Sequence, residues 1–143
     1  MKVTIFQDVF KKNKEHAHVI QLATALKRIK EGKSQSLIEA IRNGSKDFKK
    51  KLPVVLFSGE FEARNDEALT KHSQFIVLDF DHIDVASSKA LLSTDPYVYS
   101  CWVSPSGDGL KALVKVSNPE RHRDHFRALR TYFNKQYDLE VDE

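Results

Sequence analysis

The sequence predicts an α+β protein whose second half follows a βαββαβ order. Three observations carry that expectation. Apolar runs of strand type and apolar stripes of helix type follow one another along the chain; from Gln74 onward they fall as strand, helix, strand, strand, helix, strand; and glycines or capping residues stand between them. The 143 residues suit one domain, or one domain with a small appendage.

In the first part, Val19, Leu22, Ala23, Leu26 and Ile29 recur at helical spacing, and Gly32 follows as a stop. Ser36 is placed to cap a second helix, with Glu39 closing a capping box and Gly44 able to end the helix in the left-handed conformation. "LPVVLFSG" then reads as a strand. No repeat, low-complexity tract or Pro/Gly-rich linker marks a sharp boundary. The expected division is a basic N-terminal α/β subdomain, residues 1–73, and a core, residues 74–143, together one compact unit.

In the core, Gln74 to Phe80 is a strand, Val85 to Leu92 a short helix with Ser87 or Ser88 near its start, and Tyr97 to Ser104 a second strand. Leu110 to Val116 is a third strand after a Gly-containing turn. Asn118 can cap a helix whose first position is Pro119 and whose inner stripe is Phe126, Leu129 and Phe133. "DLEVD" begins a final strand, cut short by the end of the chain. This order is the split βαβ pattern of ferredoxin-like domains, with helices on one sheet face and the other face free. Its strand order, 4-1-3-2, sets Asp79 and Asp81, Lys111, the "SPSGDG" turn and Glu140/Asp142 at one end of the sheet.

Composition and charge narrow the function classes. Hydrophobic residues make up 41% and charged residues 30%, enough to fill a core and cover a soluble surface. No apolar run approaches the roughly 20 residues of a membrane span, and "MKVTIFQDVFKK" lacks the long apolar stretch and small-residue cleavage site expected of a signal peptide. The single Cys101 cannot form an internal disulfide, so the expected setting is cytoplasmic. Residues 1–53 hold 13 Lys/Arg against 5 Asp/Glu, whereas residues 54–143 hold 10 against 15. "KDFKKK" and "KRIKEGK" are either solvated helix ends or a basic flank beside a cation-binding site, which suits a polyanionic ligand held partly through metal.

Asp79 and Asp81 stand two apart at the end of an apolar run, on one face of the strand, with Phe80 on the other. Two such carboxylates repel unless a cation lies between them, and hard oxygen ligands suit Mg²⁺ or Mn²⁺ completed by phosphate and water. "SPSGDGLK", with Ser104, Ser106, Gly107 and Gly109, has the composition of a phosphate-cradling turn, and Lys111 supplies a point charge; an ordinary hairpin loop is the plainer alternative. His82 and Asp84 extend the acidic cluster or form a solvated turn. His122 and His125, interleaved with Arg121, Arg123 and Arg127, read as a basic helix face rather than a metal site. Tyr99 and Trp102 read as packing residues, or as base-stacking ones if they meet the open side of the sheet. Arg64 either reaches the site or pairs with Glu60 or Glu62.

"FIVLDFDHID", "VSPSGDGLKALVKV" and "YDLEVDE", with "LFSGEFEARNDEAL" upstream, resemble the VirE N-terminal-type domain of replication proteins of mobile elements, over roughly residues 50–143. That domain is similar to the archaeo-eukaryotic primase and primase-polymerase superfamily. The resemblance implies a metal-binding DxD at Asp79 and Asp81, a phosphate-holding second motif at the "SPSGDGLK" turn and a third acid at Asp142 completing the metal site. It implies nucleotidyl transfer with Mg²⁺ or Mn²⁺, nucleoside triphosphates and a DNA or RNA template as ligands, and a helicase domain as partner. Lys111 stands where many such proteins carry a histidine, and Asp142 lies one residue from the chain end, so an inactive nucleic-acid- or nucleotide-binding module is the alternative, and a phosphodiesterase or nuclease a third.

Overall fold

In the computed structural model, which describes residues 1–142, the chain separates into two units, one ending at Ser73 and one beginning at Gln74. The protein is α+β, and among the described residues every strand pairing is antiparallel. No helix of the described residues is long and apolar enough to cross a membrane.

The first unit is built around β1 (Lys2–Phe6), a strand the sequence reading did not find, whose Val3 and Phe6 are fully buried. It lies between β2 (His18–Gln21) and β3 (Val54–Leu56). Val19 therefore belongs to β2 and is 45% exposed, which corrects its place on a helix stripe. The helix itself, α1 (Leu22–Lys30), buries Leu22 and Ala25 instead. Gly32, at φ 67°, stops it: the Gly32 N–H donates to Ile29 O and the Lys33 N–H to Arg28 O, the paired bonds of a left-handed helix end. Gly44, at φ 106°, ends α2 (Gln35–Arg42) in the same way through Ile41 O and Ala40 O. The capping box at Ser36 is not formed. The N-cap position falls two residues earlier, at Ser34, so helix α2 opens at Gln35, and Glu39 accepts from the Gln35 amide at 2.9 Å. After β3 the chain turns into a ribbon of β4 (Gly59–Phe61) and β5 (Leu69–His72). Buried Thr4 joins ribbon to sheet, its hydroxyl donating to Gly59 O at 2.9 Å and accepting from the Phe61 N–H at 2.8 Å.

The second unit comprises β6 (Phe75–Phe80), α3 (Val85–Ser93), β7 (Val98–Val103), β8 (Leu110–Lys115) and α4 (His122–Tyr137), with sheet order β6-β8-β7. Ile76, Leu78, Phe80, Leu110, Ala112 and Val114 form one sheet face, on which Leu92 of α3 and Phe133 of α4 are buried, with Phe126 and Leu129 half-buried alongside. Register slips at Tyr99, where Val98 opposes Val114 and Ser100 opposes Leu113. This bulge lets Val98 and Cys101, three apart, both meet the core and leaves Tyr99 61% exposed against the edge of Phe75. The opposite sheet face is not bare as the ferredoxin-like pattern suggests, because Phe75 and Leu113 on it are 1% and 0% exposed. Asp84, rather than a serine, caps α3 by accepting from the Ser87 N–H at 3.2 Å. Asn118 accepts from the Glu120 N–H at 3.2 Å, with Pro119 opening the turn that leads into α4.

The last strand expected from "DLEVD" is absent among the described residues. Asp138, at φ 55°, ends α4 in the left-handed conformation. Leu139 and Val141 then point into the core with strand-like alternation, and among the described residues the segment's backbone pairing with β6 is the Asp142 N–H donating to Asp79 O at 2.8 Å. The segment thus touches the edge of β6 that β8 leaves open, where a fourth strand would lie, through one rung.

Candidate site at the carboxylate end of the sheet

Gln74 O accepts from the Val116 N–H, and the Asp79 carbonyl is turned to Asp142, so Asp79 and its register partner Lys111 form a non-hydrogen-bonded pair across β6 and β8. Such pairs bring side chains closest, and here the Lys111 ammonium meets Asp79 Oδ1 at 2.8 Å. Both side chains remain substantially exposed, at 32% and 44%. Water screens a pair of this kind, which contributes on the order of 0–1 kcal/mol.

Asp81 follows at the strand end, pressed against the returning loop. A Cβ on Gly109 would lie 2.4 Å from Phe80 O and 2.9 Å from Asp81 Oδ1, so only glycine lets the loop approach this closely. The rung at Asp142 brings a third carboxyl to the same place. Hydrogen bonding to Asp81, then burial and the charges of Asp81 and Asp79, hold the Asp142 carboxyl above the ordinary carboxylate range, with His82 pulling the other way. Two carboxyls in that relation share a proton or a cation.

The loop from Ser104 to Gly109 is largely self-satisfied. The Ser104 N–H donates to Gly109 O at 2.9 Å and the Gly107 N–H to Ser104 O at 3.0 Å, with Gly107 at φ 86°. Ser104 and Ser106 hydroxyls share a hydrogen bond at 3.1 Å, and Ser106 donates to Asp108 at 2.6 Å. That serine, together with His82, whose Nδ1 lies 2.9 Å from Asp108 Oδ2, holds the Asp108 carboxyl below its usual range. The Ile83 N–H to Asp108 O bond closes the link between the two loops. His82 adopts φ 55°, a left-handed conformation uncommon outside glycine. The His82–Asp108 pair went unread in the sequence, where the only signal is an acid set between two glycines.

Asp79, Asp81, Asp142, Lys111 and Gly109 are therefore brought together, with Ser104, Ser106 and Gly107 in the adjoining loop. Arg64 lies in the first unit, where its guanidinium donates to Val9 O at 3.4 Å and its N–H to Lys12 O at 3.0 Å, while Glu62 pairs with Lys14. Among the described residues, no three His, Cys, Asp or Glu side chains form a ready-made metal cage. The donor set is nevertheless one of hard carboxylate oxygens, which fits Mg²⁺ or Mn²⁺ held by one or two carboxylates with phosphate completing the shell.

The profile of the BT4734-like, N-terminal domain family matches residues 47–142, and the chain belongs to that family. This is a different family from the VirE N-terminal-type domain, and the match gives no relation to primases, so the resemblance drawn from the sequence motifs is corrected. No curated protein and no solved structure matches the chain.

Proposed function

We propose that this member of the BT4734-like N-terminal family binds a divalent cation together with the phosphates of a nucleoside triphosphate at Asp79, Asp81 and Asp142, for nucleotidyl transfer. The observation that carries the reading is the Asp142 rung on β6, which sets a third carboxyl against Asp81 beside Asp79. The Asp142 carboxyl, set against Asp81 with Asp79 nearby, is disfavoured in its charged form, and a cation converts that repulsion into binding energy. When bound, Mg²⁺ or Mn²⁺ supplies charge neutralisation at the phosphates and lowers the pKa of the attacking hydroxyl. Lys111 is held to Asp79 by a weak exposed pair and can transfer its charge to a phosphate, while Gly109 keeps the loop close enough for Ser104 and Ser106 to border the ligand.

Thermal melting of the intact protein tests this. Mn²⁺ or Mg²⁺ with a nucleoside triphosphate is expected to raise Tm by several degrees beyond either component alone, and Asp79→Ala or Asp142→Asn to abolish the increment. Asp79 sits in a weak surface pair, so its loss removes a ligand without unfolding the chain. An unchanged Tm, or an increment that survives Asp79→Ala, would rule the reading out.

A further inference from the structure

Over residues 74–143 the chain carries 8 Lys/Arg against 11 Asp/Glu, a net charge of −3. Within it, α4 alone carries +3, from Arg123, Arg127, Arg130 and Lys135 against Asp124, which leaves −6 on the remainder. A surface charged only for solubility would intersperse the two signs; here half of the unit's cations stand on one helix with a single acid, Asp124, among them. The inward stripe of Phe126, Leu129 and Phe133 turns Arg127, Arg130, Thr131 and Asn134 outward, at i, i+3, i+4 and i+7, so one polar row runs along the exposed face.

That row lines a groove of about 450 Å³, shared with Lys135 and bounded on its other side by Glu140 and Val141 of the C-terminal segment. Guanidinium forks bind phosphate oxygens in pairs, and successive helical turns repeat them every ~5.4 Å. Thr131 and Asn134 add uncharged donors along the same line. We propose that this groove binds the sugar–phosphate backbone of a single-stranded nucleic acid. A groove between a helix and a chain segment admits one strand, whereas a duplex would meet only the crest of the helix. An anionic membrane is the poorer match, because the row carries no Trp, Phe or Leu to insert and Val141 is buried. Glu140 opposes a phosphate and keeps the affinity in the range of non-specific binding, with Kd on the order of 10⁻⁴ to 10⁻⁶ M.

The inference stands apart from the metal–nucleotide reading, and the experiment keeps them separate. Fluorescence anisotropy of labelled oligothymidylate is measured with the intact protein in EDTA across a salt series. Arg127→Ala/Arg130→Ala is expected to weaken binding about tenfold at low salt and to flatten the slope of log K against log salt by about 1.4, the value for two lost phosphate contacts on a single strand. Glu140→Gln is expected to tighten binding, and Asp79→Ala to leave it unchanged. Arg127→Lys/Arg130→Lys, which keeps the charge, is expected to retain most of the salt slope. The proposal fails if the double alanine variant, folded by circular dichroism, binds with wild-type affinity and slope. It also fails if a duplex of equal length binds more tightly, or if only phosphatidylserine vesicles are bound.

Discussion

Gly109 has no room for a side chain, and the reason is space rather than backbone angle. A methyl group there would sit 2.4 Å from the Phe80 carbonyl oxygen and 2.9 Å from Asp81 Oδ1, and the nearer of these is backbone that cannot swing away. The loop would have to lift, straining the Ser104 N–H to Gly109 O bond that closes it. Gly109→Ala is therefore expected to cost about 2 kcal/mol, the usual range of overpacking, read as a lowered denaturation midpoint with an unchanged slope. Because the lifted loop also moves away from Asp81, the same variant is expected to lose more of the cation-dependent stabilisation than its stability loss alone explains.

Asp95 shows how two elements are locked by one buried carboxylate. It is 5% exposed in the turn between α3 and β7; Oδ1 accepts from the Tyr97 N–H at 2.8 Å, and Oδ2 accepts from the Tyr132 and Tyr137 hydroxyls of α4 at 2.6 and 2.5 Å. Three donors make the burial tolerable, and Asp95→Ala, which orphans two hydroxyls, is expected to cost about 3 kcal/mol. Hydrogen bonding to Asp95, then desolvation, raises both tyrosine hydroxyls above their ordinary range. A raised folded-state pKa means that this contribution is whole below the unfolded value near 10 and is lost as pH climbs through the folded values. Denaturant midpoints measured from neutral to strongly alkaline pH should therefore fall at the alkaline end, and the fall should flatten in Tyr132→Phe/Tyr137→Phe. Nothing in the sequence announced this lock, since a Tyr–Asp contact between residues 37 and 42 positions apart has no local pattern. What was legible is local: Gly32 and Gly44 mark helix ends because only the left-handed conformation closes those carbonyls, and "FIVLDF" is a strand by its burial pattern. Val19 was misplaced because β-type and helix-type spacing coincide over a few residues, and tertiary pairing with β1 decided the matter. Asp79 and Lys111 could be placed together from topology alone, whereas the Asp108–His82 pair depended on a left-handed residue that sequence does not reveal.

At the scale of the whole molecule, the family match and the structural units do not share a boundary. The match begins at residue 47, inside the first unit, and takes in β3, β4 and β5 without β1, β2, α1 or α2. Strand β3 has β1 as its ladder partner, through Thr4, Ile5 and Phe6 against Leu56, Val55 and Val54. Removing β1 also strips Thr4 Oγ1 from Gly59 O and the Phe61 N–H, leaving two buried backbone groups unsatisfied at roughly 1–3 kcal/mol each. Burial of Val3, Phe6, Leu22, Ala25 and Ile41 disappears with the same residues. Set against a typical total stability of about 5–15 kcal/mol, these losses are too large for the matched segment to absorb. A chain limited to residues 47–142 is thus expected to lack cooperative thermal unfolding and to aggregate, judged by calorimetry and size-exclusion chromatography beside the full chain. Thr4→Val in the full chain isolates one part of the effect: it keeps the shape, removes the bridging hydroxyl and is expected to cost about 2 kcal/mol while unfolding remains cooperative. If residues 47–142 melt as a single sharp transition near that of the full chain, β1 is an accessory strand and the family segment is the folding unit.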